Sequence, residues 1–246
     1  MSFPVSALTL DLDDTLWPFA PIGARIEQGL HDFFLARSPA TAQRFPIAGM
    51  RALRSQVYAD YPRLRHDLSA LRRLTIERAL RESGADPGLA EVAYALFQRE
   101  RNRVDFYPDA LAALRRIAKQ LPVVAVSNGN ADLAAIGIDD LFAGQISAYS
   151  HGAPKPDPGI FHAACASVGM APETVLHVGD DIALDMLGAA RAGLRTCWIH
   201  RGDKPGDDGV WPMHEPEPDL RFDSLLTLAD WLDVNPSMHT TDTAAA

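Results

Sequence analysis

The chain has 246 residues, of which 47% are hydrophobic and 22% charged, with a formal net charge of −9 at pH 7. That length allows one large domain or a core with a smaller accessory unit, and the ordinary composition excludes disordered, collagen-like and disulfide-built classes. The acidic balance argues against a nucleic-acid partner, and no run reaches the roughly 18 apolar residues needed to cross a bilayer.

The charge is unevenly spread. Residues 17–105 hold 14 arginines and no lysine against 10 acids, whereas the remainder holds 9 basic and 22 acidic residues. This asymmetry predicts two modules. Cys165 and Cys197 lie far apart and form no C-x-x-C pair, so they are expected to be small apolar residues in a reducing compartment. The first residues show neither a basic start nor a small-residue cleavage site, and a cytoplasmic location is expected.

Along the chain, residues 5–10 (VSALTL) predict a buried strand running into Asp11, Asp13 and Asp14. Residues 22–105 contain no convincing strand and read as helices, for example 67–83, where Leu68, Leu71, Leu74, Thr75, Ala79 and Leu80 follow helical spacing. A helix over 108–120 places Leu111, Leu114, Ile117 and Ala118 on one face, with Pro108 suited to the first turn. Strands follow at 121–126, ending at Ser127 and the turn Asn128–Gly129, and at 145–149. A helix over 158–168 takes Asp157 as N-cap and Pro158 at its first position. A strand at 174–178, a helix at 182–192 closed by Gly193, and a strand at 195–199 complete the pattern.

Alternating helices and unbroken apolar strands predict an α/β fold, a Rossmann-like parallel sheet with helices on both faces. An all-helical segment, residues 17–105, is inserted after the first strand; 1–16 and 106–233 form the core, and 234–246 a frayed tail. Ligands in such sheets bind beyond the carboxyl ends of the strands. Asp11 and Asp13, Ser127, and Asp180 all fall at that edge.

The chemistry starts from Asp11 and Asp13. Side chains two apart on an extended segment point the same way, and two carboxylates about 4 Å apart repel by about 4 kcal/mol at an effective dielectric near 20. Asp180, Asp181 and Asp185 add to the excess, so the site calls for a cation. A hard divalent ion with oxygen ligands suits it, and Mg2+ favours few carboxylates plus a substrate phosphate. Of only three lysines, Lys119, Lys155 and Lys204, Lys155 sits in a loop stiffened by Pro156. It is placed to neutralise both the acids and a bound phosphoryl group. Ser127 with the backbone amides of Asn128 and Gly129 can donate to phosphoryl oxygens.

DLDDT at 11–15, Ser127 after an apolar strand, Lys155–Pro156, and GDDIALD at 179–185 resemble the four ordered motifs of the haloacid dehalogenase superfamily, over residues 7–232. The resemblance implies an Mg2+-dependent phosphatase acting on a small phosphorylated metabolite. In it Asp11 attacks phosphorus to form an aspartyl-phosphate, and Asp13 protonates the leaving oxygen and then activates water. Mg2+ would be held by the Asp11 carboxylate, the Asp13 backbone carbonyl and the Asp180 carboxylate. Ser127, Asn128 and Lys155 would bind the phosphoryl group and Asp185 would orient Lys155. Asp181 stands where many relatives have Ser or Asn, leaving open whether it is a ligand or supports one. The inserted helices are similar to the cap of the superfamily's first subclass. More finely, SNGNA at 127–131, SHGAPKP at 150–156, VLHVGDD at 175–181, CWI at 197–199 and LRRLTIERAL at 71–80 resemble flavin-pathway phosphatases that act on 5-amino-6-(5-phospho-D-ribitylamino)uracil and often FMN.

Other readings share part of this pattern. A 2-haloacid dehalogenase would lack the acid at position 13, because halide leaves without a proton. A phosphomutase shares all four motifs and differs in its cap. A receiver-like phosphoacceptor module is about half this length, and a non-catalytic binder does not need the full set of acids. His177 is expected to be a core residue bonded to a backbone group. Trp17 lines the pocket or packs the hinge, and Arg51, Arg54, Arg63, Arg65, Arg72 and Arg73 are expected on solvated helix faces.

Overall fold

A computed structural model describes residues 3–202 and 209–235. Six strands, β1 (Ala7–Leu10), β2 (Val123–Ser127), β3 (Gly144–Ser147), β4 (Val175–Gly179), β5 (Arg195–Ile199) and β6 (Leu220–Phe222), form one sheet in the order β3-β2-β1-β4-β5-β6. Every neighbouring pair is parallel. Every residue of β1, β2 and β4 is buried, which is why these segments are apolar runs without the alternation of a half-exposed strand. The strand expected at 145–149 lies at 144–147 instead. Ser147 caps a short helix that begins at Ala148, and that cap ends the strand. The edge strand β6 is missed by pattern reading because three residues are too few to show a period.

Between β1 and β2 the chain forms α1 (Phe19–Arg37), α2 (Pro39–Arg44), α3 (Ile47–Asp60), α4 (Leu68–Glu82), α5 (Leu89–Arg101) and α6 (Ala110–Ala118). No strand occurs among them. Helix α1 buries Ile22, Ile26, Leu30 and Phe34, a stripe of i, i+4 spacing, and packs on α5. Helix α4 begins where the sequence predicts, because the Asp67 carboxylate accepts from the Ala70 amide at 2.8 Å. The remaining helices are α7 (Leu133–Ile136), α8 (Ala148–His151), α9 (Pro158–Ser167), α10 (Leu187–Arg191) and α11 (Leu225–Val234). The helix expected at 182–192 is not continuous. Residues Ile182–Met186 form one wide π turn before α10, since the amides of Asp185 and Met186 both donate to the Asp181 carbonyl, at 3.0 and 3.2 Å. That widening turns Asp185 inward.

The sheet is covered on both faces. Leu8, Leu10, Leu176, Val178, Cys197 and Ile199 pack with Leu114 and Ile117 of α6 and Leu228 of α11. On the other face, Ala7, Val124, Val126 and Val175 pack with Ile160, Phe161 and Ala164 of α9 and Ala189 of α10. Cys165 and Cys197 are buried free thiols, one in each cluster. Helix α11 runs to Val234, the first residue of the expected tail; residues 236–246 lie outside the described residues. No described helix is long and apolar enough to cross a membrane.

Candidate active site

The strand order places β1 between β2 and β4, so Asp11, Ser127 and Asp180 emerge side by side. The Asp11 amide continues the sheet by donating to the Val178 carbonyl at 2.9 Å, and its carboxylate ends almost buried. Beyond it the chain turns sharply. Asp14 adopts φ +62°, a left-handed conformation that Asp tolerates through local hydrogen bonds. Its amide donates to the Trp17 carbonyl at 2.7 Å and its carboxylate accepts from the Phe19 amide at 2.8 Å, which launches α1.

Lys155 and its partners form the buried centre of the site. Lys155 Nζ donates to Asp11 Oδ1 at 2.5 Å and to Asp185 Oδ1 at 2.6 Å. Asp185 also accepts from the Asp181 amide at 3.1 Å, and from His177 Nε2 at 3.1 Å. A carboxylate only accepts, so His177 carries its proton on Nε2, and Nδ1 accepts from Thr9 Oγ1 at 2.9 Å. His177 is therefore a core residue as expected, but its partners are side chains and not backbone. The Lys155 loop is clasped by Asn128, whose Nδ2 donates to the Lys155 carbonyl at 3.0 Å and whose Oδ1 accepts from the Lys155 amide at 2.6 Å. Ser127 is buried, and its Oγ accepts from the Gly129 amide at 2.9 Å.

Burial works on each of these groups. It raises the Asp11 carboxyl well above the ordinary range, with the charges of Asp185 and Asp180 adding to it and Lys155 only partly opposing. Burial also acts to raise Asp185, but the Lys155 ammonium and the His177 hydrogen bond outweigh it and hold Asp185 well below its ordinary value. Burial acts to lower Lys155, yet Asp11 and Asp185 keep it above its ordinary value and charged. Burial lowers His177, which stays neutral.

Oxygens of Asp11, Asp180 and Asp185 lie within 4.8 Å of one another. Three carboxylates facing one ammonium leave an excess of negative charge, and every donor is a hard oxygen. The site fits a divalent ion such as Mg2+. Asp180 is itself oriented from two sides: Thr15 Oγ1 donates to its Oδ1 at 3.1 Å and Trp198 Nε1 to its carbonyl at 2.8 Å. Asp181 caps the wide turn, with Oδ1 accepting from the Leu184 amide at 2.8 Å. That bond uses Asp181 to shape the backbone that carries Asp185.

The carboxylate of Asp13 stands apart from the acidic triad. Its Oδ1 accepts from Trp17 Nε1 at 2.8 Å and its Oδ2 from Arg101 Nη2 at 2.6 Å. Trp17 is fully buried, so it is an orienting group beneath Asp13 and not a pocket wall. Gly129 is needed at this point: a Cβ there would lie 2.9 Å from both Asp13 Oδ2 and Arg101 Nη2. Arg101, Thr9 and Thr15 are the site residues that the sequence pattern does not assign, and it predicts Trp17 only as a pocket wall or a hinge residue. Arg101 has no local signal, since it is one of several arginines at the end of α5 and only the tertiary contact distinguishes it.

A cavity of about 440 Å³ opens beside Asp13 and Gly129, with Phe19, Arg54, Tyr58, Arg72 and Arg101 from the inserted helices on its walls. Of the six arginines expected on solvated faces, Arg63 and Arg65 are exposed and Arg51 and Arg73 pair with Glu27 and Glu91. Arg54 and Arg72 face the cavity instead.

The family model of haloacid dehalogenase-like hydrolases matches residues 5–193. The 5-amino-6-(5-phospho-D-ribitylamino)uracil phosphatase YigB of Escherichia coli is 34% identical over 200 residues, 79% of this chain and 83% of that protein. A phosphoserine phosphatase of Thermus thermophilus is 32% identical over 246 aligned positions, covering 89% of this chain and 95% of its own length. A crystal structure of a 2-haloacid dehalogenase from Pseudomonas syringae superposes with a TM-score of 0.84 at 31% identity, over 94% of this chain and 99% of that one. With that match spanning the strands that carry Asp11, Ser127 and Asp180, the chain belongs to the haloacid dehalogenase-like hydrolases.

Proposed function

We propose that the chain is a magnesium-dependent phosphatase that hydrolyses small phosphate monoesters through a phosphoaspartate on Asp11. The observation that carries this reading is the convergence of Asp11, Asp180, Asp185 and Lys155 at one sheet edge. Asp11 Oδ1 is bonded to Lys155, which leaves Oδ2 to attack phosphorus in line with the ester oxygen. The P–O bond to the leaving group breaks as Asp13 gives that oxygen a proton. Asp13 then takes a proton from the water that attacks the phosphoaspartate, and inorganic phosphate and free Asp11 result. Ser127, the Asn128 backbone amide and Lys155 hold the phosphoryl oxygens, the Gly129 amide being bonded to Ser127 Oγ, and Asp185 aims Lys155. The Asp11 carboxylate, the Asp13 backbone carbonyl and the Asp180 carboxylate would hold Mg2+, which supplies positive charge against the oxygens of the transferring group.

Residues 17–105 act as a cap on the core formed by 1–16 and 106–233. Arg101, Phe19, Arg54 and Arg72 share one cavity with Asp13 and Gly129, which supports substrate selection by that segment. Two candidate leaving groups follow from the relatives: an uncharged ribitylaminouracil body, with FMN as its analogue, and the charged body of phosphoserine.

The likeness to a 2-haloacid dehalogenase brings a second reading. Asp13 argues against it, since displacing halide needs no proton donor, whereas an alkoxide leaving group does. The test is release of inorganic phosphate from a phosphomonoester panel beside chloride release from 2-chloropropionate. Phosphate release supports the proposal, and chloride release without phosphate release overturns it.

A further inference from the structure

Taking the phosphatase reading as its basis, the cavity wall says what the leaving group carries. Arg72 faces the cavity and stacks its guanidinium 4.7 Å above the Phe97 ring, and among the described residues no carboxylate bonds to it. Glu27, the one acid on this side, is occupied: Arg51 Nε donates to both of its oxygens at 2.9 Å, and Arg54 stands 3.7 Å away. The other acids that line the cavity are committed as well. Asp13 is paired with Arg101, and Asp14 accepts from the Phe19 amide. Two guanidiniums, Arg54 and Arg72, thus line one cavity with a share of one carboxylate, Glu27, between them. Burial and the nearby Arg54 charge both press on Arg72 and lower its affinity for its proton. An anion between the two would relieve that repulsion, and arginine forks suit carboxylate and phosphate oxygens. Asp13, Asn128 and Gly129 line the same cavity, and the reacting phosphoryl group sits beside them in the proposed mechanism.

We infer that the substrate is a phosphate monoester whose leaving portion bears a second anionic group, a carboxylate or a second phosphate, bound by Arg54 and Arg72. This places phosphoserine-type bodies above uncharged ribitylaminouracil or flavin bodies.

Matched pairs test it: 3-phosphoglycerate against glycerol 3-phosphate for the carboxylate, and 1,3-propanediol bisphosphate against its monophosphate for the phosphate. The charged member of at least one pair is expected to show a kcat/KM about ten-fold or more above its uncharged partner, the worth of one charge-assisted hydrogen bond. In Arg72→Gln and Arg54→Gln that ratio falls toward one; Arg54→Gln serves where Arg72→Gln does not fold. A wild-type ratio near one in both pairs, or a high ratio that neither variant lowers, overturns the inference. Where wild type releases no phosphate from any ester, the hydrolase reading itself fails. Calorimetric binding of the same pairs to Asp11→Asn then reads the anion preference separately, and equal affinities within each pair overturn it.

Discussion

The buried guanidinium of Arg101 donates to the Asp13 carboxylate at 2.6 Å, joining the last residue of α5 to the turn after β1 across 88 positions of sequence. Arg101 Nε also reaches Asn130 Oδ1 at 3.2 Å, and Nη1 is buried with no partner among the described residues. The proposed acid–base group is thereby held by the inserted helices, with Trp17 fixing its other oxygen. Arg101→Ala is expected to cost about 1–3 kcal/mol of stability, below the fully buried range because Asp13 keeps 23% of its side-chain exposure. The same variant is expected to lose about ten-fold or more in kcat with KM changed less, since Asp13 loses its aim while phosphoryl contacts remain. Arg101→Lys keeps the charge without the fork and regains part of both losses. Urea denaturation and steady-state kinetics check this, and a loss confined to KM speaks against a positioning role.

Asp11→Asn keeps the size of the side chain and removes the nucleophilic oxygen. It is expected to lower phosphate release at least about 10⁴-fold, as loss of a nucleophile does. Circular dichroism should remain that of the wild type. Substantial residual turnover removes Asp11 as the nucleophile.

Chelation tests the acidic triad. EDTA is expected to stop hydrolysis and added Mg2+ to restore it, because three carboxylates against one ammonium leave a negative excess that a divalent cation offsets. Added Mg2+ is also expected to raise the melting temperature in a concentration-dependent way. Full activity after exhaustive chelation contradicts the metal assignment.

His177→Phe removes the donor to Asp185 Oδ1 and the acceptor for Thr9 while conserving an aromatic ring. Two buried partners are left short of a bond, so a loss of about 2–4 kcal/mol is expected. The companion Thr9→Val in the same background should add little, because the two side chains share one bond. A thermal-denaturation double-mutant cycle measures both, and strict additivity would show that the Thr9–His177 bond carries no energy.

Asp109 provides the pH test away from the site. It accepts from Arg201 Nη1 at 2.7 Å and from the Leu225 amide at 2.8 Å, at the start of α11. Burial acts to raise its carboxyl, but the Arg201 hydrogen bond and charge outweigh it and leave Asp109 below its ordinary value. The folded protein therefore binds this proton less readily than the unfolded chain. Its contribution is complete above the unfolded value of about 3.9 and disappears as pH falls through the lower folded value. Asp109→Asn is expected to cost about 1–2 kcal/mol at neutral pH, and the gap from wild type should begin to narrow as pH falls below about 4. Denaturation midpoints from about pH 7 down to about pH 2, spanning the unfolded value, decide it; a gap that does not narrow at the acid end refutes the assignment.

Local chemistry in the chain already determined the buried strands, the helix starts at Asp67 and Asp157, and the candidate acids at the strand ends. Each depends on neighbours a few residues away: an apolar run needs two covered faces, and a carboxylate before a helix needs only the next amides. The motif spacing also singled out Lys155 from three lysines. What the tertiary structure alone decided is which charges meet. Strand order brings Lys155 to Asp11 across 144 positions, and the placement of α5 brings Arg101 to Asp13 across 88. The wide turn at Ile182–Met186 turns Asp185 toward His177, and α1, α3 and α4 bring Arg54, Arg72 and Glu27 around one cavity. Hydrophobic periodicity encodes which side of an element is covered, but a charged side chain finds its partner through the path of the whole chain, and no local pattern records that path.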